Sequence, residues 1–360
     1  MARGRSSRAG FALAALNAGA LATMVAGSRR VKDQVEEALR DGIGVDYVEQ
    51  LDAEPTPAEL ATPWRSLANP FRVRDPRVTV ERDLTFTEAG SRGHLDVYRP
   101  VDGQVENAPV LLQIHGGAWT VGRKDQQGVP LMLHLASKGW VCVAINYRLA
   151  PRDAFPAQIV DVKRAIAWVK EHIADYGGDP EYVVITGGSA GGHLAALAAL
   201  TPGDAAYQPG FEDADTSVQV AIPHYAVYDL AGSTGLRSAE DMRDRFLAPR
   251  VLQRRYAEDP EPFEAASPLL RITPDAPDFF VLHGACDTVV SVQQARLFVE
   301  RLRQVSKRTV VYAELPGAQH AFDVFPSIRS AHVVRAIDRY LHWHWNGWHR
   351  ERSGVDVPGR

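Results

Sequence analysis

Short continuous apolar runs recur along this chain, separated by stretches whose apolar positions repeat at helical spacing. PVLLQIHG (109–116), WVCVAINY (140–147), YVVITGG (182–188), VQVAIPHY (218–225), FFVLHG (279–284) and TVVYAEL (309–315) are bounded by turn formers and predict buried strands. RVTVERDLTF (77–86) and HLDVYRP (94–100) predict two further strands joined by a short glycine-containing turn. Between them, VPLMLHLASKG (129–139), IVDVKRAIAWVKEHI (159–173), HLAALAAL (193–200), SVQQARLFVERLRQV (291–305) and HVVRAIDRYLHWHW (332–345) predict helices, the first closed by Gly139. Strands alternating with helices imply a mostly parallel sheet covered on both faces, an α/β class.

Two regions break the rhythm. Residues 41–77 are rich in proline and turn formers and predict a connector. Residues 229–268 are charged and proline-bearing with patchy periodicity, and an insertion of that length predicts a lid. The expected organisation is therefore N-terminal helices and connector over 1–77, a catalytic domain over 78–345, and a tail over 346–360. The N-terminal run FALAALNAGALATMVAG (11–27) follows Arg3, Arg5 and Arg8, with no charge between Arg8 and Arg29. Leu13, Leu16, Ala20 and Met24 share one face, which predicts a surface or lid helix. The alternative is a targeting or anchoring segment, with peripheral membrane contact through it. Neither reading fixes a cellular location.

Composition narrows the partners. The 360 residues carry a formal charge of −4 with no long basic run, which argues against nucleic acid as a partner. The two cysteines, Cys142 and Cys286, fall in or just after apolar runs and predict buried free thiols, with no disulfide framework or zinc spacing. His342 and His344 are two apart and do not share a helix face as metal ligands would; the YLHWHWNGWHR end predicts aromatic packing, with Trp343, Trp345 and Trp348 as the alternative membrane contact. No metal or organic cofactor is implied.

The chemistry gathers at strand ends, as it does in open α/β sheets. Gly187-Gly188-Ser189-Ala190-Gly191 is a G-x-S-x-G turn between a predicted strand and a predicted helix. Such a turn strains the serine backbone and projects its hydroxyl, and the small neighbours leave room for that. A phosphate-cradling turn would need a G-x-G-x-x-G or a following lysine, and neither is present. A serine needs a base and an orienting acid, expected in the order Ser, Asp, His. Asp287 and His320 follow the next two strands in that order; Asp229 is the reserve acid, and His193, one turn beyond Ser189, is a weak rival base. Asp287 could instead merely cap the following helix, and His320 could be an ordinary loop histidine. His115-Gly116-Gly117 follows the third strand. Gly116 and Gly117, with Ala190, are the expected oxyanion donors, and the His115 ring the anchor of that loop.

HGGAW, NYRLAP, GGSAGG, HGACD and QHAF in this order resemble the hormone-sensitive-lipase-like group of α/β-hydrolase esterases, over about residues 78–345. The resemblance implies an eight-stranded α/β-hydrolase sheet with a helical lid. It also implies a nucleophile at Ser189, an acid at Asp287, a base at His320 and an oxyanion hole in the HGG stretch. Two positions depart from the family: Ala118 replaces a third glycine, and Gly188 replaces an aspartate. The function implied is a carboxylesterase or lipase acting on a small-molecule ester or lipid of short to medium acyl chain. An amidase or arylformamidase on the same triad is the enzymatic alternative, and a silent ligand-binding homologue the non-enzymatic one.

Overall fold

Alternate side chains of the central strands enter opposite layers. In β3 (Ala108–Ile114), Val110, Leu112 and Ile114 face one core and Leu111 the other; in β4 (Val141–Ile145), Val141, Val143 and Ile145 oppose Cys142 and Ala144. That period of two, with both faces apolar, is what a sheet sandwiched between helices demands. The computed structural model of the chain describes residues 3–53, 55–62, 64–67, 74–101 and 105–353. The connector's residues 68–73 and the tail's 354–360 lie outside the described residues.

Eight strands form one sheet: β1 (Val78–Thr85), β2 (His94–Pro100), β3, β4, β5 (Gly178–Gly188), β6 (Val220–His224), β7 (Asp278–Gly284) and β8 (Val310–Leu315). Their order is β1-β2-β4-β3-β5-β6-β7-β8; the β1–β2 and β2–β4 pairs are antiparallel and the remaining pairs parallel. The long helices are α1 (Arg3–Ile43), α5 (Ala157–His172), α6 (Ala190–Leu200), α9 (Val292–Val305) and α10 (Ile328–Ser353). Shorter ones are α2 (Pro57–Leu60), α3 (Trp64–Leu67), α4 (Val129–Ala136), α7 (Arg237–Met242) and α8 (Glu261–Ala265). Helices α5, α6 and α9 cover the first core, and α4, α10 and the C-terminal part of α1 cover the second.

The helix at α4 closes on Gly139 as expected: the glycine takes φ 98° in the turn into β4, and the Trp140 N–H donates back to the Leu135 carbonyl at 3.1 Å. Three expectations change. The final helix runs on to Ser353, so residues 346–353 are not tail; Trp345 and Trp348 pack edge-on against buried Tyr182, and Trp343 donates to Gln50 Oε1 at 3.0 Å. Cys142 is buried as expected, but Cys286 is exposed, because its loop turns outward beyond β7. The N-terminal stripe of Leu13, Leu16, Ala20 and Met24 covers nothing: every residue from Ala9 to Met24 is exposed, since α1 overshoots the body it packs on. The 229–268 insertion folds as α7, a π-helical segment (Arg243–Leu252) and α8, and it commits Leu247, Val251, Leu252 and Phe263 to the first core.

The direction of α10 matters below. Val333, Val334 and Ile337 lie beside Gly187, Gly188 and His224 at the C-terminal ends of β5 and β6. His344 bonds Asp278 and Tyr182 at the other end of the sheet. Helix α10 therefore runs away from the edge where Ser189 sits.

Candidate active site

Ser189 links β5 to α6 with φ 57° and ψ −118°, a region non-glycine residues avoid at a cost of about 1–3 kcal/mol. Two backbone bonds hold it there: its N–H donates to the His224 carbonyl and its carbonyl accepts from the His193 N–H, each at 2.9 Å. The small neighbours are demanded by close approach. A Cβ on Gly191 would lie 2.2 Å from the Ile114 carbonyl oxygen, so α6 presses directly on the end of β3. A Cβ on Gly188 would lie 2.5 Å from the Tyr225 hydroxyl, so the tyrosine occupies the space of the side chain missing there.

The sheet brings the three separated side chains together. His320 Nε2 is 2.9 Å from Ser189 Oγ, and His320 Nδ1 is 2.7 Å from Asp287 Oδ2. Asp287 is buried, and its Oδ1 accepts the N–H groups of Val289 and Val290 at 2.8 and 2.9 Å. Burial alone would raise its pKa. Hydrogen bonds from His283, His320 and the Val290 N–H outweigh that and hold the carboxyl well below the usual carboxylate range. Asp287 thus both closes its own loop and orients His320, the two readings the sequence left open.

The Tyr225 ring lies edge-on to the His320 imidazole, centroids 4.8 Å apart. Its hydroxyl donates to Asp323 Oδ1 at 2.5 Å, and Asp323 Oδ2 is 2.5 Å from His224 Nδ1. Burial pushes the tyrosine hydroxyl far above its ordinary pKa. Asp323 resists the same burial effect through its His224 and Tyr225 partners and is lowered. This second carboxylate ties the His320 loop to β6. Sequence reasoning missed it; the signal was an acid three residues past His320.

The HGGAW loop corrects one assignment. The Gly116 N–H donates to Gln127 Oε1 at 2.7 Å and is not free for an oxyanion. The N–H groups of Gly117, Ala118 and Ala190 have no protein acceptor among the described residues. His115 anchors the loop: its Nδ1 donates to the Gly116 carbonyl at 2.7 Å and its ring stacks on Tyr147 at 4.3 Å. Burial lowers its pKa to about 4.

The rival residues are occupied elsewhere. Asp229 accepts from the backbone N–H and hydroxyl of both Ser233 and Thr234, closing a turn. His193 is fully buried; its Nδ1 accepts from the Trp119 indole at 3.1 Å and its Nε2 donates to the Ala266 carbonyl at 2.8 Å. Burial lowers its pKa to about 4, so it stays neutral and has no lone pair to offer a substrate. Among the described residues, no group of three or more His, Cys, Asp or Glu side chains could hold a metal ion.

The BD-FAE family pattern matches residues 95–302, more than half of the chain and every strand from β2 to β7. The chain belongs to the BD-FAE family of α/β-hydrolase esterases. Within the curated proteins, it is 47% identical to the probable carboxylic ester hydrolase LipM of Mycobacterium tuberculosis over 341 residues, 91% of this chain and 76% of LipM. It is 46% identical to esterase LipQ of the same organism over 319 residues, 87% of this chain and 75% of LipQ. Among solved structures, an inhibited esterase B from Lactobacillus rhamnosis superposes with a TM-score of 0.63 at 19% identity, covering 78% of this chain and 91% of that one, a likeness of fold. This BD-FAE member is a carboxylic ester hydrolase.

Proposed function

We propose that the chain cleaves esters through an acyl-enzyme on Ser189, with His320 as base and Asp287 as its orienting acid. The single observation that carries this reading is the continuous relay from Ser189 Oγ through His320 to Asp287, at 2.9 and 2.7 Å. Ser189 Oγ attacks the ester carbonyl while His320 Nε2 takes its proton. The N–H groups of Gly117, Ala118 and Ala190 receive the oxyanion; Gly116 is not among them. His320 returns the proton to the departing alkoxide, and water then repeats the sequence on the acyl-enzyme.

The finer motif pattern supports placing the chain beside the hormone-sensitive-lipase-like esterases. Ala118 narrows the loop where that group carries a third glycine. Short to medium acyl chains are the expected acyl groups, because Leu247, Val251 and Phe263 of the insertion are spent on the core and leave modest apolar cover for a long chain. The exposed apolar run of α1 from Ala9 to Met24 supports membrane contact through the N-terminal segment. Fluorophosphonate labelling tests the chemistry: the wild type is tagged and Ser189→Ala is not, with its turnover of p-nitrophenyl butyrate at background. Equal labelling of the two would remove Ser189 from the mechanism.

A further inference from the structure

Helix α1 is packed for only part of its length. Val31, Val35, Ala38 and Leu39 are buried in the second core. Gly42 touches Val311 at the start of β8, and Arg339 Nη2 bonds Glu36 Oε2 at 3.1 Å. Lys32 shares a cavity with His332, four residues into α10. The contacts rise together along both chains, so α1 and α10 run side by side in the same direction. Residues before Val31 therefore project beyond the edge of the sheet where α10 begins, which is the edge holding Ser189, Asp287 and His320.

The projecting part is built for hydrocarbon. Ala9 to Ser28 are 20 residues without a charge, about 30 Å of helix, which matches the apolar thickness of a bilayer. Phe11, Leu13, Leu16, Leu21 and Met24 are exposed around the helix, Phe11 by 79%. The hydroxyls of Thr23 and Ser28 donate to the carbonyls four residues back, Gly19 and Met24, both at 2.9 Å, and so need no water. Arg29, Arg30 and Lys32 follow at once, and the Arg29 guanidinium lies 5.6 Å from the centre of the exposed Trp64 ring. A basic and aromatic collar at the end of an apolar run is the composition of a membrane surface level.

The catalytic edge is apolar as well. Each of the three site loops exposes one apolar side chain: Val121 in the HGGAW loop by 62%, Val289 beside Asp287 by 59%, and Phe325 beyond His320 by 62%. Phe325 comes three residues before α10 begins, close to the level at which α1 leaves the body.

We propose that α1 crosses the hydrocarbon layer of a bilayer and that the rim of Val121, Val289 and Phe325 rests on that bilayer's surface. The substrates reached this way are esters held in the membrane by a long hydrocarbon elsewhere in the molecule. This rests on the serine esterase reading and names the substrate class of the same site.

The test uses the full chain with vesicles of phosphatidylcholine and phosphatidylglycerol, ethyl butyrate as the soluble ester, and hexadecyl butyrate as the embedded one. Wild type floats with the vesicles and cleaves both esters. A Leu16→Arg/Leu21→Arg double variant, altered only at exposed positions, stays behind and cleaves ethyl butyrate at the wild-type rate. It cleaves hexadecyl butyrate at least about tenfold more slowly, because arginines at mid-bilayer depth oppose insertion. Phe325→Ser still floats but loses several-fold on the embedded ester alone. Wild type that fails to float, or a double variant as fast as wild type on hexadecyl butyrate, overturns the proposal. A Phe325→Ser variant unchanged on both esters overturns the resting of the rim on the bilayer. Wild type that floats yet cleaves neither ester overturns the esterase reading instead, and the membrane placement stands on flotation.

Discussion

The Trp119 indole donates to His193 Nδ1 at 3.1 Å, joining the loop after β3 to the helix that Ser189 caps. His193 passes the connection on to the Ala266 carbonyl at the end of the insertion. Three segments around the proposed site are thus joined through one neutral imidazole.

Trp119→Phe keeps the ring and removes the donor. His193 Nδ1 is then left buried without a partner, and the variant is expected to lose about 1–3 kcal/mol in urea unfolding. The loop it anchored carries the proposed oxyanion donors, so kcat falls about tenfold while KM changes little. An unchanged kcat with lowered stability would limit the pair to a folding role.

Gln127 holds the Gly116 N–H. Gln127→Leu removes the acceptor, and kcat/KM on p-nitrophenyl butyrate is expected to fall roughly 10- to 100-fold as the loop drifts. Gln127→Glu retains an acceptor oxygen and recovers most of the activity. Were Gly116 itself an oxyanion donor blocked by Gln127, the leucine variant would be faster than wild type, so the sign of the change discriminates.

The buried histidines set an acid limit. His115 and His193 have pKa values lowered by burial from 6.5 to about 4. Between those values the unfolded chain binds protons that the folded chain refuses, so stability falls as the pH drops from 6.5 to 4. The slope is about 1.4 kcal/mol per pH unit for each histidine. Below pH 4 the lowered carboxyl of Asp287 continues the decline, since its contribution is present above the unfolded carboxylate pKa and lost as pH falls. Urea titrations from pH 7 to 4 read this directly, and His193→Asn is expected to flatten the slope by one proton.

The sheet was legible because each central strand is buried on both faces, which leaves apolar runs bounded by turn residues. Ser189, Asp287 and His320 were legible because each stands one step past such a run, at one shared edge. What escaped was decided by contacts between segments distant in sequence. Which N–H of the HGG stretch is free depends on Gln127, eleven residues on, and a glycine pattern carries no trace of that bond. Tyr225 and Asp323 are 98 residues apart and act as a pair only after β6 and the His320 loop meet. The N-terminal stripe reads as an amphipathic face in sequence. Where α1 stops touching the body depends instead on the length of α10 beside it.

On the proposed membrane placement one rod spans two environments, and the border between them falls within a single turn, from Ser28 to Val31. Proteolysis at that border would shed the apolar arm and leave Val31, Val35, Ala38 and Leu39 seated, so the remaining fragment keeps its core. A cut after Ile43 would instead pull those four side chains from the second core. A nick a dozen residues further along would convert detachment into unfolding.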